Sequence, residues 1–178
     1  MSKKNARKNT QNLPAIISSM DSASLLSKAK QLAKELKIPL HTQTMPTVPD
    51  SCASLHGKKI LFVDDDPHVI SVFLLPLLAA TDGNAGFVLH RTETIEELAE
   101  KILAQQPEIV LIDEYLATSL HGHDLLKAIL TKNSTIRCIG FSSATSPEPL
   151  FRAAGAGFAL KDVEDPIGSL AAVSEFLH

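Results

Sequence analysis

The sequence predicts an α/β fold, a (βα)5 doubly wound parallel sheet of five strands, with an extra amphipathic helix at the N-terminus. From Lys58 onward, short apolar runs alternate with segments of helical period, which is the pattern of repeated βα units. The apolar runs are continuous, as in strands buried on both faces of a parallel sheet. Only 4% of the residues are aromatic, so we expect an aliphatic core between a sheet and its flanking helices.

The length and the charge pattern predict one domain with an appendage. Of the 178 residues, we assign 1–56 to a basic N-terminal extension and 57–178 to the α/β domain. Residues 1–12 are polar and basic, which is typical of disorder. Residues 1–59 carry ten Lys and Arg against three acids, whereas residues 60–178 carry seven against seventeen. The two parts therefore attract each other or face different partners.

The extension contains one predicted helix, near residues 22–37, which Asp21 or Ser22 can cap. Its apolar stripe comprises Leu25, Ala29, Leu32 and Leu36. Lysines occupy the other faces, so the helix is amphipathic. Three interpretations stay open: docking on the acidic domain, dimerisation, or contact with an anionic membrane or nucleic acid. Three prolines within residues 38–56 predict an extended linker after this helix.

The domain itself shows five strands and five helices in alternation. Strands are predicted near residues 59–64, 87–91, 109–113, 136–141 and 157–160. Helices are predicted near residues 67–80, 94–105, 122–131, 147–154 and 166–177. Thr94 and Glu97 fit a capping box, and Pro67 and Pro166 each suit the first turn of a helix.

Acidic residues follow two of the predicted strands at the point where each strand ends. The first apolar run stops at Asp64 and Asp65, and the third predicted strand stops at Asp113. Parallel strands deliver such residues to one edge of the sheet, where α/β proteins place their ligand sites. Carboxylates held that close raise one another's pKa unless a cation compensates them. The sequence therefore predicts a hard divalent metal bound through oxygen.

Residues 58–177 resemble the receiver (CheY-like) domain of two-component response regulators. The ordered pieces that carry the resemblance are Val63-Asp64-Asp65-Asp66-Pro67, Val110-Leu111-Ile112-Asp113, Gly140-Phe141-Ser142-Ser143-Ala144 and Gly155-Ala156-Gly157-Phe158-Ala159-Leu160-Lys161. The resemblance implies the strand order 2-1-3-4-5.

The resemblance also implies a role for each site residue. Asp113 would accept a phosphoryl group from a histidine kinase, and Lys161 and Ser143 would each contact a phosphoryl oxygen. Phe158 would be the aromatic that changes rotamer on phosphorylation. Mg2+ is the implied cofactor, and its ligands would be Asp65, Asp113, the backbone carbonyl of Tyr115 and, directly or through a water, Asp64.

Several residues near these motifs have simpler interpretations. Asp66 is expected to be a helix-start residue, and Ser142 to be a strand-end hydroxyl with no role. His121 and His123 are interpreted as exposed loop residues, because Mg2+ does not recruit imidazole.

The chain departs from the family pattern at three places. Ala117 stands where the family has Pro, and Gly122 comes one residue late, which predicts an altered loop over Asp113. Asp162 replaces the Pro that usually follows the lysine, and this affects how Lys161 is presented. The segment from Ser143 to Lys161 is about one turn short, which trims the fourth helix of the domain.

The expected partners and location follow from the resemblance and the composition. A histidine kinase or phosphotransfer protein is the implied donor, a homodimer is an alternative assembly, and an effector domain beyond His178 is left open. We expect no direct nucleic-acid binding by the receiver domain. The sequence also predicts no membrane span. Cys52 and Cys138 show no zinc or disulfide spacing, which is typical of a reduced cytoplasmic protein.

The sequence is compatible with three functions. The first is a phospho-acceptor switch, which is not an enzyme in the usual sense because it only phosphorylates itself stoichiometrically and hydrolyses the product slowly. The second is a degenerate receiver that binds partners without phosphorylation. The third is a phosphatase similar to the haloacid dehalogenase superfamily, because Asp64-Asp65-Asp66 also fits an Asp-x-Asp motif.

Overall fold

The structure, a computed structural model, describes residues 20–177. The disorder predicted for residues 1–12 lies outside this range. Seven strands are found in it: β1 Ile60–Asp64, β2 Ala85–Leu89, β3 Ile109–Ile112, β4 Tyr115–Leu116, β5 Leu120–His121, β6 Arg137–Ser142 and β7 Gly157–Leu160.

Six α-helices accompany these strands in the described range. They are α1 Ser22–Leu36, α2 Pro67–Ala80, α3 Ile95–Leu103, α4 Gly122–Lys132, α5 Glu148–Ala153 and α6 Pro166–Ser174. The starts follow the predicted signals, since Asp21 caps α1 and Thr94 and Glu97 form the full capping box of α3. Short 3-10 helices occur at Asp50–Leu55, Ala117–Ser119 and Glu175–Leu177.

Five strands form one parallel sheet in the order β2-β1-β3-β6-β7. This confirms the predicted order 2-1-3-4-5 and the doubly wound α/β class. The register aligns Val63 with Ile112 and Ile112 with Gly140. The carboxyl ends of the central strands therefore meet at one edge of the sheet. The two residues of β4 and the two of β5 form a separate antiparallel hairpin after β3, which the sequence did not predict.

The sheet divides the core into two layers. Phe62 and Leu111 face one layer, which also contains side chains of α1, α2 and α6. Val63 and Ile112 face the opposite layer, formed with α3, α4 and α5. Strand residues alternate between the two faces, and this alternation decides which side chains meet at the carboxyl edge.

The N-terminal helix is part of the first core layer. Leu25, Ala29 and Ala33 of α1 are buried, and the helix packs against α2. The structure therefore favours docking on the domain among the three interpretations, and apolar side chains form the contact. The segment predicted as an extended linker also packs on the domain, because Cys52 and Leu55 of its 3-10 helix are buried.

Within residues 20–177, no helix is both long enough and apolar enough to cross a lipid bilayer.

Candidate functional site

Three charged side chains meet at the carboxyl edge because of strand alternation. Asp64 ends β1, Asp113 directly follows β3, and Lys161 directly follows β7. Each stands two residues after a side chain of the first core layer, namely Phe62, Leu111 and Ala159, so all three belong to the same face of the sheet.

The lysine lies between the two acids. Lys161 Nζ is 2.5 Å from Asp64 Oδ2 and 2.8 Å from Asp113 Oδ1. All three side chains are buried, and the ammonium also lies 5.8 Å from the centre of the Phe62 ring. A buried charge is costly unless it is paired. Here one ammonium compensates two carboxylates.

Backbone N–H groups hold the other carboxylate oxygens. The N–H of Asp66 donates to Asp64 Oδ1 at 2.9 Å, and the N–H of Tyr115 donates to Asp113 Oδ2 at 2.9 Å. Asp66 itself caps α2 through a hydrogen bond from the N–H of His68, in line with its expected helix-start role. Both site carboxylates are therefore fixed in position by hydrogen bonds to both of their oxygens.

Burial and neighbouring charges change the protonation of this group. Desolvation raises the pKa of Asp64 to about 6, against the opposing effect of Lys161 and with a further contribution from Asp113. Desolvation also raises the pKa of Asp65. For Lys161, desolvation lowers the pKa, but the charges of Asp64 and Asp113 outweigh it and the pKa is raised. At neutral pH Asp64 is therefore still mostly ionised, and a further cation beside it would lower its pKa.

The three acids fit a divalent metal. Asp64, Asp65 and Asp113 each offer a carboxylate oxygen, and these atoms lie within 4.8 Å of one another. An all-oxygen donor set of this kind suits Mg2+, which binds through one or two carboxylates and keeps several waters. Asp65 is partly exposed, so solvent can reach the group. The role assigned to the Tyr115 carbonyl stays a prediction.

The two neighbouring serines occupy different environments. Ser142 is buried, and its Oγ has no hydrogen-bond partner among the described residues. Ser143 is exposed at the carboxyl edge, and because Ser142 pairs with Leu160, Ser143 lies beside Lys161. Continued alternation puts Ser143 on the face of the acids and Ser142 on the other face. The geometry therefore favours Ser143 as the hydroxyl of this site.

Phe158 lies inside the second core layer. Its ring packs against Phe151, with centres 5.8 Å apart, and both rings cover the α-carbon of Gly140. Its rotamer change stays a prediction.

The loop that follows Asp113 passes very close to it. A Cβ on Gly122 would lie 2.0 Å from the carbonyl oxygen of Asp113, and the N–H of Gly122 donates to the Glu114 carbonyl at 2.8 Å. Only a glycine fits such an approach. The altered loop predicted from Ala117 and Gly122 takes the form of the β4–β5 hairpin closed by this contact.

Asp162 does not prevent Lys161 from reaching the acids. The N–H of Asp162 donates to Ser169 Oγ, in the first turn of α6, at 2.8 Å. The main chain after Lys161 is thus held by a side-chain hydrogen bond.

One cluster beside the site was misjudged from the sequence. Glu114 is buried, and His121 Nδ1 and His123 Nδ1 lie 3.1 Å and 2.8 Å from its Oε1. The interpretation of both histidines as exposed loop residues is wrong for His123, whose side chain is only 15% exposed. The signal was a second acid after a strand end, Glu114, with a His-x-His seven residues later. It becomes informative only once the hairpin is known.

Comparisons with known proteins identify the fold. No protein-family model matches the sequence, and no curated protein matches it. Among solved structures, the chain is similar to the BeF3-activated DrrB receiver domain, with 20% identity and a TM-score of 0.52 over 67% of this chain and 97% of that one. It is equally similar to a LuxR-family two-component response regulator from an Aurantimonas species, with 20% identity and a TM-score of 0.51 over 67% of this chain and 86% of that one. The chain therefore has the receiver (CheY-like) fold of two-component response regulators.

Proposed function

We propose that this protein is a phospho-acceptor receiver of a two-component system, which takes a phosphoryl group onto Asp113 and changes its partner binding in response. The observation that carries the proposal is the buried group in which Lys161 bridges Asp64 and Asp113 at the carboxyl edge of the sheet. A purely structural ion pair needs one acid for Lys161. Here three acids, Asp64, Asp65 and Asp113, lie together, and Asp65 is partly exposed to solvent.

The residues present can perform the transfer. A carboxylate oxygen of Asp113 attacks the phosphorus of a phosphohistidine, a P–O bond forms, and the P–N bond breaks as the imidazole leaves and takes up a proton. The Tyr115 N–H, 2.9 Å from Asp113 Oδ2, orients the nucleophile. Lys161 lies 2.8 Å from Asp113 Oδ1, and after the transfer its ammonium pairs with a phosphoryl oxygen instead. The Ser143 hydroxyl donates a hydrogen bond to another phosphoryl oxygen.

The acids supply the place for a cofactor. Asp64, Asp65, Asp113 and the Tyr115 carbonyl are the residues that would hold Mg2+. When bound there, Mg2+ supplies positive charge that offsets the charge of the transferring phosphoryl group.

The proposed output is a change in the loops around Ser143 and in the ring of Phe158. Drawing Ser143 toward a phosphoryl oxygen shifts the chain after β6, beneath which Phe158 packs on Gly140. Such a local electrostatic event can bias a two-state element. Partners that read the change would include a kinase or phosphotransfer protein, an effector domain, or a second copy of this chain.

The chemistry is stoichiometric rather than catalytic in the proposed role. One acyl phosphate forms per chain and is then hydrolysed slowly, so we do not class the protein as an enzyme. We assign the reaction to the cytoplasm, and the two free, buried thiols of Cys52 and Cys138 support a reducing compartment.

The test is the intact mass of the protein after incubation with acetyl phosphate and Mg2+. The wild type should gain one phosphoryl group, and Asp113→Asn should gain none. Omission of Mg2+, or the substitution Asp65→Asn, should reduce the gain. Asp66→Asn is the matched control, because Asn also caps a helix and Asp66 has no part in the proposed transfer.

A degenerate receiver is the second candidate, and one observation favours it. Lys161 by itself pairs with both Asp64 and Asp113, and such a buried group can also serve as a structural ion pair. No mass gain in the wild type under the same conditions, with a folded protein, would count against the first function and favour a phosphorylation-independent interaction module. The phosphatase alternative loses support, because residues 161–177 form α6 and a 3-10 turn without a further strand end.

A further inference from the structure

The buried carboxylate of Glu114 collects two imidazoles on one oxygen. Glu114 is 2% exposed, and its Oε1 lies 3.1 Å from His121 Nδ1 and 2.8 Å from His123 Nδ1. Its Oε2 accepts the backbone N–H of His123 at 3.1 Å. Glu114 lies between β3 and β4, His121 in β5 and His123 in the first turn of α4, so the β4–β5 hairpin brings the three side chains together.

The distances within this cluster match those between ligands of a transition metal. A cation bound at about 2.0–2.2 Å to imidazole nitrogen and carboxylate oxygen places two ligand atoms about 2.8–3.6 Å apart, for bond angles between square and tetrahedral. The observed separations of 2.8 Å and 3.1 Å fall in this range, and all three ligand atoms lie within 4.8 Å of one another. The three ligand atoms are therefore close enough to converge on one ion.

The surroundings of the cluster resemble the outer shell of a metal site. A metal-bound histidine commonly directs its other ring nitrogen to a carboxylate; here the Asp124 carboxylate is the nearby group, with Oδ1 3.5 Å from His123 Nε2, and a short approach would make that hydrogen bond. The ring of Tyr115 packs edge-on against His121, with centres 6.5 Å apart. The His121 side chain is 48% exposed, so an ion can enter from solvent and keep water as a further ligand.

We propose that Glu114, His121 and His123 bind Zn2+ as a three-residue site, separate from the oxygen-lined group at Asp64, Asp65 and Asp113. Two imidazoles and one carboxylate favour a borderline ion such as Zn2+, whereas Mg2+ prefers oxygen alone. The proposal rests on this geometry and not on phosphorylation of Asp113. An ion there would clamp the β4–β5 hairpin, whose closing residue Gly122 touches the Asp113 carbonyl.

The alternative for the same atoms is a hydrogen-bonded cluster, in which both imidazole N–H groups donate to the buried carboxylate. Equilibrium titration of the full chain with Zn2+ against a chromophoric chelator, at fixed neutral pH, decides between the two. We expect one Zn2+ per chain, and at least about a tenfold loss of affinity in His121→Gln and in His123→Gln. Imidazole nitrogen resonances of both residues should shift on titration as Nδ1 exchanges its proton for the metal.

Two controls locate the ion. His41→Gln removes one ring of another neighbouring imidazole pair, formed with His68, and should leave the affinity unchanged. Asp113→Asn should also leave it unchanged. The proposal is overturned if no stoichiometric Zn2+ binds, if His121→Gln and His123→Gln bind as tightly as the wild type, or if Asp113→Asn abolishes binding. His121 is half exposed, so His121→Gln provides the test even if His123→Gln is poorly folded.

Discussion

Lys161 occupies an unusual position for a lysine, because it is buried and compensates two acids at once. Its ammonium contacts Asp64 and Asp113, and within residues 20–177 each of these carboxylates also accepts one backbone N–H. Removing one partner of a buried ion pair leaves an uncompensated charge. The same ammonium competes with any cation for the two carboxylates. Stability and metal affinity should therefore respond in opposite directions to its removal.

Substituting Lys161→Met tests this coupling, because methionine fills a similar volume without charge. In EDTA the free energy of unfolding should fall by about 3–5 kcal/mol, the cost of breaking a buried pair. Addition of Mg2+ should restore more stability in the variant than it adds to the wild type, because it replaces the missing charge. Urea unfolding with and without Mg2+ measures both effects.

The control for that substitution is Lys58→Met, which removes an exposed ion pair with Glu108. It should change little in either condition, since such pairs contribute little to stability. Equal gains from Mg2+ in Lys161→Met and the wild type would contradict the coupling.

Gly140 of strand β6 lies directly against two aromatic rings of the second core layer. A Cβ on Gly140 would lie 2.6 Å from the Phe151 ring and 2.7 Å from the Phe158 ring. Both rings are buried and face each other at a tilt of 49°. The glycine thus provides the space that holds Phe158 in its inward position between β7 and α5.

The substitution Gly140→Ala should destabilise the protein by about 1–3 kcal/mol, because it overpacks two aromatic rings. In a protein that already carries Phe158→Leu, the smaller side chain leaves room for the added methyl group. Gly140→Ala should therefore lower the free energy of unfolding less in that background than in the wild type. A double-mutant cycle of urea unfolding gives the interaction energy. Additive effects of the two substitutions would show that Gly140 and Phe158 do not share this space.

The docked N-terminal helix can be tested within the same element. Ala29→Arg places a charge on the face of α1 buried against α2, and Ala23→Arg places the same side chain on its exposed face. The first should lower the free energy of unfolding by more than about 2 kcal/mol, and the second should change it little. Thermal or urea unfolding of both variants is the measurement. Equal stabilities would mean that α1 does not pack on the domain in solution.

At the scale of the whole molecule, the sequence predicts the sheet well and its surroundings less well. Strand and helix positions follow from apolar runs and capping signals, and the carboxyl-edge meeting of Asp64, Asp113 and Lys161 follows from strand parity. The β4–β5 hairpin escapes prediction, because two-residue strands carry no period. The cluster of Glu114, His121 and His123 is not predicted either, because the hairpin is what brings these residues together. The segment around Cys52 packs against α2 and α6. These contacts are distant in sequence, so the local residue pattern does not predict them.

The two cysteines report whether the extension and the sheet unfold together. Cys52 lies in the 3-10 helix of the extension and Cys138 in β6, and both are buried. Burial raises the pKa of both thiols, that of Cys138 to about 12. Burial therefore disfavours the reactive thiolate of both residues in the folded protein, and labelling requires opening. A thiol reagent in increasing urea should label both residues with the same dependence on denaturant if the extension and both core layers unfold as one unit. Faster labelling of Cys52 at low urea, with Cys138 still protected, would show instead that the extension opens independently of the sheet.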